Sequence, residues 1–336
     1  MALKGGLSLL AGVAVLVALA WWFGIGGVVA ALRDASPRGL LIYLLFSIVV
    51  LALQAGRWRV MATAVGAPAP LSRFMAARLA GDAVASVLPF ARLSGDPVRA
   101  VLAREGATPL ASATAGVAID RLLELIGNVL SVITYLAIFS LAHVGAASSH
   151  ASLPLAATMV GLLGLMVVLV VQFARGGRPL APLYGARARR WAGPRAHWLE
   201  GLQRVEQHLI DFFGAHRATF LAGVGASILI ELAVVFQYRA LLEAFGVHLD
   251  LPVLLMAMLG TGVARALPTP ASLGTLEAVQ VVAVGATTGR ADLGFVVGVI
   301  MRLHETLLVM AGMAALCALG FSPSRLPTGA QEAPTP

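Results

Sequence analysis

The stretch LPFARLSGDP, at residues 88–97, interrupts an otherwise apolar region with two prolines, an arginine, a glycine and an aspartate. A second interruption, LPTPASLGTL, occupies residues 267–276. Proline and glycine break helices, so each stretch is either a polar loop between two helices or an unwound segment that forms part of a site. The regions around these two interruptions decide which fold the chain adopts.

The composition predicts an integral membrane protein. Of the 336 residues, 59% are hydrophobic and only 12% are charged, whereas about 25% are charged in a typical soluble domain. The apolar runs lack the alternation of membrane strands, which predicts an all-α protein. The net charge of +8 comes from arginines between apolar runs, which indicates cytoplasmic loops and no nucleic-acid partner. The single cysteine, Cys317, excludes an internal disulfide and argues against a cysteine-based metal site.

Six apolar runs are long enough to cross a bilayer once each. They lie between Lys4 and Arg33, from Gly39 to Gly56, in two parts between Glu124 and Arg175, from Phe220 to Tyr238, and from Asp292 to Gly320. The first run contains a small-x-small sequence typical of signal-peptide cleavage at 18–20. It continues through Trp21 and Trp22, however, which favours a retained helix.

The arginine distribution predicts that both termini lie in the cytoplasm. In that orientation the inner loops contain Arg57, Arg59, Arg73, Arg92, Arg99, Arg104, the arginines of 175–217 and Arg325, and the outer loops contain Arg33, Arg38, Arg239 and Arg290. The orientation requires residues 74–105 and 251–289 each to enter and leave the membrane on one side. We therefore predict two re-entrant helical hairpins, whose irregular backbone must be buried in protein or line a wet cavity.

The two interrupted regions share a pattern that predicts an internal repeat. Residues Gly81, Pro89, Gly95 and Gly106 recur at a constant offset as Gly260, Pro268, Gly274 and Gly285, and Arg121 and Glu124 recur after a two-residue insertion as Arg302 and Glu305. The spans before the two copies run in opposite directions, so the copies form an inverted-topology repeat, which is typical of secondary transporters. The predicted organisation is a single integral membrane domain at 1–320, with repeats at about 40–140 and 220–318, a cytoplasmic basic loop at 175–217 and a disordered tail at 321–336.

Each interruption contains residues that favour a helix start. Ser94 or Asp96 can cap a helix that has Pro97 in its first turn, and Ser272 can cap a second helix. If these starts point into the membrane, their N–H groups favour an anion, and glycine allows a headgroup to approach the backbone closely. The alternative is an ordinary polar loop in each place. The half-helix sites predicted on the first reading consist of Ser94, Gly95, Asp96 and Arg99 in one copy and Gly274 and Glu277 in the other.

Charged side chains inside apolar runs are the second functional signal. Arg121 and Glu124 are three residues apart, as are Arg302 and Glu305, so each pair shares one helical face. Such charges are costly in a membrane and are normally paired or face a cavity. The pairs are either structural ion pairs or a lining in which arginine binds a phosphate or another acidic headgroup.

The segment RARRWAGPRAHWLEGLQR, at 187–204, combines arginines with two tryptophans. It is either an interfacial segment that contacts anionic phospholipids or a set of charges that only fixes the topology. The chain contains no zinc-protease motif, phosphate-binding loop, acidic metal motif or nucleophile elbow. We therefore predict neither enzyme activity nor a cofactor.

Three motifs resemble one membrane family. The stretches LPFARLSGDPVRAVLAREG (88–106), DRLLELIG (120–127) and LPTPASLGTLEA (267–278) resemble the transmembrane region of lysylphosphatidylglycerol synthase. Ser94 stands where that family has the first glycine of a pair, and the late motif reads Ala-Ser-Leu-Gly instead of Gly-Leu-Gly. The resemblance covers about 40–318, and in the aminoacylating branch it implies a flippase domain that moves a charged phospholipid across the bacterial inner membrane. The soluble synthase domain of the aminoacylating branch is not present in this sequence, so lipid aminoacylation is not expected.

The resemblance extends to free-standing relatives associated with hopanoid biosynthesis. The predicted function is therefore transport of a hopanoid or another polar-headed lipid by alternating access. The alternatives are a polyprenyl-phosphate carrier, a non-transporting scaffold for a lipid-modifying enzyme, and an intramembrane lipid-modifying enzyme. The predicted partners are a membrane lipid substrate, anionic phospholipids and lipid-biosynthesis enzymes.

Overall fold

The computed structural model describes residues 32–87, 95–142, 149–185, 197–266 and 274–319. Within these ranges the regular structure is entirely helical, as the sequence predicts. The helices are α1 (Pro37–Ala64), α2 (Leu71–Val87), α3 (Asp96–Ala103), α4 (Leu110–Ala142), α5 (Ser149–Ala174), α6 (Ala181–Tyr184), α7 (His197–Ala215), α8 (Arg217–Ala244), α9 (Leu251–Ala266), α10 (Thr275–Thr288) and α11 (Ala291–Ala318).

Five of the described helices are long and apolar enough to cross a membrane. They are α1, α4, α8, α11 and the part of α5 at Ala156–Ala174. These five correspond to five of the six predicted apolar runs. The remaining run, before Arg33, lies outside the described residues, as does the tail at 321–336.

Helix α1 extends beyond its predicted end at Gly56. The hydroxyl of Ser36 accepts a hydrogen bond from the N–H of Gly39, and Pro37 occupies the first turn, which fixes the start of the helix. The helix then continues through the Arg57-Trp58-Arg59 sequence to Ala64. The placement of Arg57 in a cytoplasmic loop is therefore wrong. Its side chain is buried because a carboxylate of α4 pairs with it inside the protein.

The order of a long helix, two shorter helices and a second long helix occurs twice. Helices α1 to α4 contain 28, 17, 8 and 33 residues, and helices α8 to α11 contain 28, 16, 14 and 28. The turns after α1 and α8 also match. Each passes through a glycine with positive φ, Gly66 or Gly246, and the N–H of the next residue returns to the same carbonyl position, Ala62 or Leu242.

Helices α1 and α8 pack against each other in antiparallel orientation through reciprocal contacts. Arg57 of α1 donates to the hydroxyl of Ser227 on α8, and Gln237 of α8 donates to the hydroxyl of Ser47 on α1. Positions 57 and 237 differ by 180, as do positions 47 and 227. Equivalent residues therefore exchange roles across the interface, which is the contact pattern of a local two-fold axis.

The shorter helices form two hairpins with antiparallel legs. In hairpin 1 (α2 and α3), Gly81 packs against both Gly95 and Arg99. In hairpin 2 (α9 and α10), Thr261 is hydrogen-bonded to Gln280. The tips of both hairpins, 88–94 and 267–273, lie outside the described residues.

The predicted basic loop at 175–217 contains helical structure. Helix α7 is amphipathic, and its Phe212 and Phe213 are buried in a core that includes Phe173 of α5 and Leu123 of α4. Its apolar face therefore packs on the helix bundle, and its polar face carries exposed residues such as Asp211.

Candidate functional site

The helix start of hairpin 1 places a carboxylate against an arginine of α4. Asp96 is the first residue of α3, and its carboxylate accepts from Arg121 Nη2 at 2.6 Å and Nε at 3.1 Å. Arg121 Nη1 donates to Glu124 Oε2 at 2.9 Å, one turn along α4. One guanidinium thus bridges two carboxylates, with geometry that favours charge-assisted hydrogen bonds. The side chains of this first triad, Asp96–Arg121–Glu124, remain 13–17% exposed.

Hairpin 2 contains the same arrangement. The carboxylate of Glu277, in the first turn of α10, accepts from Arg302 Nε at 3.0 Å and Nη2 at 3.3 Å. Arg302 Nη1 donates to Glu305 Oε2 at 3.3 Å. In both halves the arginine follows the first carboxylate by 25 residues and precedes the second by three. The second triad, Glu277–Arg302–Glu305, is therefore the counterpart of the first.

A further arginine contacts the second glutamate of each triad. Arg78 of α2 donates to Glu124 at 3.4 Å, and Arg265 of α9 donates to Glu305 at 2.9 Å. Each of these arginines belongs to the first leg of a hairpin, whereas each glutamate belongs to the long helix that follows. The contacts therefore tie both legs of each hairpin to its long helix.

Beneath the first triad lies a fully buried carboxylate, Asp120. It pairs with three arginines from three other helices: Arg57 Nε at 2.9 Å, Arg99 Nη2 at 2.7 Å and Arg78 Nη1 at 3.3 Å. The guanidinium of Arg99 also lies 4.4 Å from the ring centroid of Trp58, a cation–π distance. Burial of one carboxylate with three cations requires such pairing, because an unpaired charge at this depth is costly.

The equivalent core of the second half is neutral. At the positions of Arg99 and Asp120, shifted by the 181 residues that relate the triads, stand Gln280 and Met301, both buried. The side-chain carbonyl of Gln280 accepts from Tyr238, and its amide donates to Thr261. Hairpin 2 is thus held by neutral hydrogen bonds where hairpin 1 is held by buried ion pairs.

A polar contact connects α1 to α11. His304 Nδ1 lies 2.8 Å from Tyr43 Oη, and its Nε2 lies 2.9 Å from Ser47 Oγ. At the equivalent contact in the other half, Leu123 of α4 packs directly on Gly223 of α8. The two halves therefore meet the central α1–α8 pair differently, with a polar contact on one side and an apolar contact on the other.

Of the ten predicted site residues, the structure places six in the two triads and brings Arg99 into contact with Asp96. Two observations change predicted roles. The predicted capping role of Asp96 is wrong, because Asp96 lies inside the helix and binds the charged guanidinium of Arg121, a stronger donor than a backbone N–H. The open side of Gly95 faces the carbonyl of Gly81, so this glycine allows close packing within the hairpin rather than approach of a headgroup. Gly274 has a φ of 75°, which favours glycine at that turn. Ser94 and Ser272 lie outside the described residues.

The predictions did not include Arg57, Arg78, Asp120 and Arg265 in the site. The signal for Asp120 is its position inside an apolar run next to Arg121. The arginines could not be assigned from sequence because their partners are 40 or more residues away.

Among the residues that the structure describes, the charges of the two clusters are balanced within each half. The first half brings together Arg57, Arg78, Arg99 and Arg121 with Asp82, Asp96, Asp120 and Glu124, and the second brings together Arg265 and Arg302 with Glu277 and Glu305. An anion that binds either triad must therefore exchange with a carboxylate, and a cation must exchange with an arginine. Each triad can in this way bind a charged headgroup at the expense of one internal ion pair.

These features define a multi-pass α-helical membrane protein with buried, charge-paired hairpins. The chain matches the family described as the transmembrane region of lysylphosphatidylglycerol synthase over residues 9–312, and it belongs to that family. The resemblance drawn from the three motifs is thereby confirmed. Membership indicates a membrane protein involved in lipid handling. No curated protein and no solved structure matches the chain.

Proposed function

We propose that this protein is a lipid transporter of the bacterial inner membrane, which moves a polar-headed lipid between leaflets by alternating access. The observation that carries the proposal is the duplicated triad. Two hairpins present the same carboxylate–arginine–glutamate arrangement, and the helices that precede them pack antiparallel. Membership of a family associated with lipid handling supports a lipid as the substrate.

The antiparallel contacts support re-entrant hairpins in an inverted repeat. Helices α1 and α4 are also antiparallel, since Arg57 contacts Asp120 and Ala62 packs on Gly116. If hairpin 1 crossed the membrane once, α1 and α4 would cross in the same direction. A hairpin that returns to its starting side agrees with the observed packing and gives α1 and α8 opposite directions in the bilayer.

In this arrangement the triads occupy mirrored depths. Arg121 and Arg302 each lie 11 residues after the first residue of their helices, α4 and α11. At 1.5 Å per residue, each arginine lies about 16 Å from the end at which its helix begins, or near the middle of a bilayer core of about 30 Å. The two helices begin on opposite sides, so one headgroup could pass from one triad to the other.

The proposed chemistry is an exchange of ion-pair partners. A phosphate or another acidic headgroup would replace Asp96 on Arg121, and then Glu277 on Arg302. An amine-bearing headgroup would make the opposite exchange with the carboxylates. The contacts in both triads are bidentate or bridging. A headgroup with the same charge as the side chain that it replaces can make similar contacts, so the remaining triad side chains stay neutralised. We propose transport without a bound cofactor and without covalent change to the lipid, and a hopanoid is the lipid that the motif resemblance favours.

The orientation proposed from sequence places the connections before α2 and after α3 in the cytoplasm. Exposed Arg59 lies near the end of α1 and supports that orientation, together with the basic segment around α7. Buried Arg57 and Arg99 no longer contribute to it.

The test is lipid movement in proteoliposomes of phosphatidylethanolamine and phosphatidylglycerol. Fluorescent derivatives of phosphatidylglycerol and of an amino-hopanoid serve as probes, and a membrane-impermeant quencher reports the leaflet. We expect the double variant Arg121→Gln/Arg302→Gln to slow movement of a transported probe at least tenfold, because neither triad then carries a cation.

The matched control is Arg239→Gln, which removes an exposed arginine from an ion pair on α8. We expect it to retain the wild-type rate. Equal rates for the double variant and the wild type would show that the triads do not contact the transported headgroup.

A further inference from the structure

Glu231 is a carboxyl group near the middle of a membrane-spanning helix. It lies 14 residues after Arg217 and 13 before Ala244, the two ends of α8. At 1.5 Å per residue it is therefore about 20 Å from either end of the helix. The side chain is half-buried in the groove between α8 and α4.

The partners of Glu231 are hydroxyl groups. Tyr135 of α4, which is buried, donates to Glu231 Oε1 at 2.5 Å. The hydroxyl of Ser131, one turn earlier on α4, also lies beside the carboxyl group. Ser131 also donates to the carbonyl of Gly127 at 2.9 Å, and the oxygen of a hydroxyl group can accept from a protonated carboxyl group. A carboxylate cannot donate in this way.

No cation neutralises Glu231 among the described residues. Each carboxylate of the two triads, and the buried Asp120, has an arginine within 3.4 Å. Glu231 makes no ion pair with any described residue. Arg57 of α1 lies on a helix that packs against α8. It donates to Ser227, one turn from Glu231, and is neutralised by Asp120. Helices α7 and α9 adjoin α8 through the short connections at its two ends. The titratable group that faces Glu231 is therefore Tyr135.

The repeat shows that the fold does not require a carboxyl group at this position. The offset of 180 that relates α8 to α1 places Leu51 at the equivalent position. An apolar side chain thus serves the same position in the other half. A carboxyl group that is costly in the membrane, lacks a cation and has no counterpart in the repeat indicates a role beyond packing.

We propose that Glu231, together with Tyr135 and Ser131, is a membrane-embedded proton-binding site that couples lipid movement to a proton gradient. The coupling rests on the function proposed above. In the proposed closed state the groove holds the neutral acid, with one proton on the carboxyl group. When the groove opens towards water, the carboxyl group releases this proton as the stabilisation of its neutral form is lost, and it binds another proton before the groove closes. No bond other than O–H forms or breaks.

The proton site is tested by infrared spectroscopy of the full chain in lipid nanodiscs. At neutral pH we expect a carbonyl band of a protonated carboxylic acid that disappears in Glu231→Gln and persists in Glu243→Gln, the matched change at an exposed carboxylate of α8. Tyr135→Phe should shift the band without removing it, because the acid remains and one donor is lost. A wild-type spectrum whose band survives in Glu231→Gln would overturn the site.

The coupling is tested in proteoliposomes with fluorescent phosphatidylglycerol, with and without an imposed pH gradient. We expect the gradient to change the rate of lipid movement for the wild type and for Glu243→Gln, and to have no effect for Glu231→Gln. A gradient response that persists in Glu231→Gln, or a wild-type rate that ignores the gradient, would overturn the coupling. A wild type that moves no probe lipid under any condition counts against the proposed transport and against the coupling, and the infrared band then decides the proton site alone.

Discussion

Asp120 links more helices than any other described side chain in the charged cluster. Its two carboxylate oxygens bind arginines from α1, α2 and α3, while Asp120 itself belongs to α4. All four helices of the first half therefore meet at one buried anion. The network replaces the water that these charges would otherwise bind, so removing its single central anion affects three cations at once.

We predict that Asp120→Asn lowers the free energy of unfolding by about 3–5 kcal/mol, because the substitution leaves buried arginines without a counter-ion. Thermal and denaturant unfolding in detergent micelles would measure the loss. Arg239→Gln, which breaks an exposed ion pair, should change the stability by less than about 1 kcal/mol. Similar losses for both variants would contradict the view that the buried cluster holds hairpin 1.

At the scale of elements, each hairpin packs on the long helix of its own half and, through its first leg, on the long helix of the other half. A Cβ added at Gly312 of α11 would lie 2.2 Å from the carbonyl oxygen of Leu79 on α2. This approach requires glycine because the nearest atom is backbone and cannot rotate away. The contact joins the first half to the second through main-chain packing.

The contact at Gly312 predicts a difference between two glycines that both lie inside helices. Gly312→Ala should destabilise the protein by about 1–3 kcal/mol, because α2 and α11 must separate. Gly225→Ala on α8 meets no atom within 4 Å and should be neutral or stabilising by up to about 1 kcal/mol, since alanine favours helix more than glycine does. Unfolding of the two variants in the same detergent tests the difference, and an equal or reversed order would contradict close α2–α11 packing.

The sequence predicted the elements better than it predicted their contacts. Hydropathy located five described spans because length and composition alone determine whether a helix can cross a bilayer. The alignment of the two predicted copies placed the two-residue insertion too late to match the two triads. Gly106 lies in a turn and Gly285 inside α10, whereas Asp96 and Glu277 already match, so the insertion falls between Gly274 and Glu277.

The partners within the site required the folded chain. Arg57 and Asp120 are 63 residues apart, and the spacing of charges along one helix does not indicate which distant side chain meets them. The Arg-x-x-Glu pairs were predicted because their residues share a helical face. The first carboxylate of each triad was recognised as a candidate residue, but its arginine partner was not, because that contact depends on how the hairpin packs against the long helix.

At the scale of the whole molecule, the two halves share a scaffold but differ in how firmly each hairpin is held. Besides its triad, hairpin 1 is fixed by the ion pairs around the fully buried Asp120. Hairpin 2 has its own triad, the neutral contacts of Gln280 and the partly exposed Arg265–Glu305 pair. Breaking a neutral hydrogen bond or an exposed ion pair costs less free energy than breaking a buried network of charges. If the proposed transport proceeds by alternating access, we expect hairpin 2 to move more than hairpin 1.

The topology of the whole molecule yields a prediction that does not depend on transport. In a variant with Cys317 replaced by serine, single cysteines at Pro68 and Ala107 flank hairpin 1, and those at His248 and Thr288 flank hairpin 2; all four positions are exposed. We expect a membrane-impermeant thiol reagent to label the first two from one side of sealed vesicles and the last two from the other.

This labelling pattern distinguishes the possible arrangements because each gives a different grouping. A hairpin that crosses the membrane would label on opposite sides at its two flanks. Two hairpins that return to the same face would place all four labels on one side, which would contradict an inverted repeat. Only two re-entrant hairpins in opposite orientations give one pair on each side. If α1, α4 and α8 all cross the bilayer, their antiparallel contacts require the labels at Pro68 and Ala107 on one side and the label at His248 on the other.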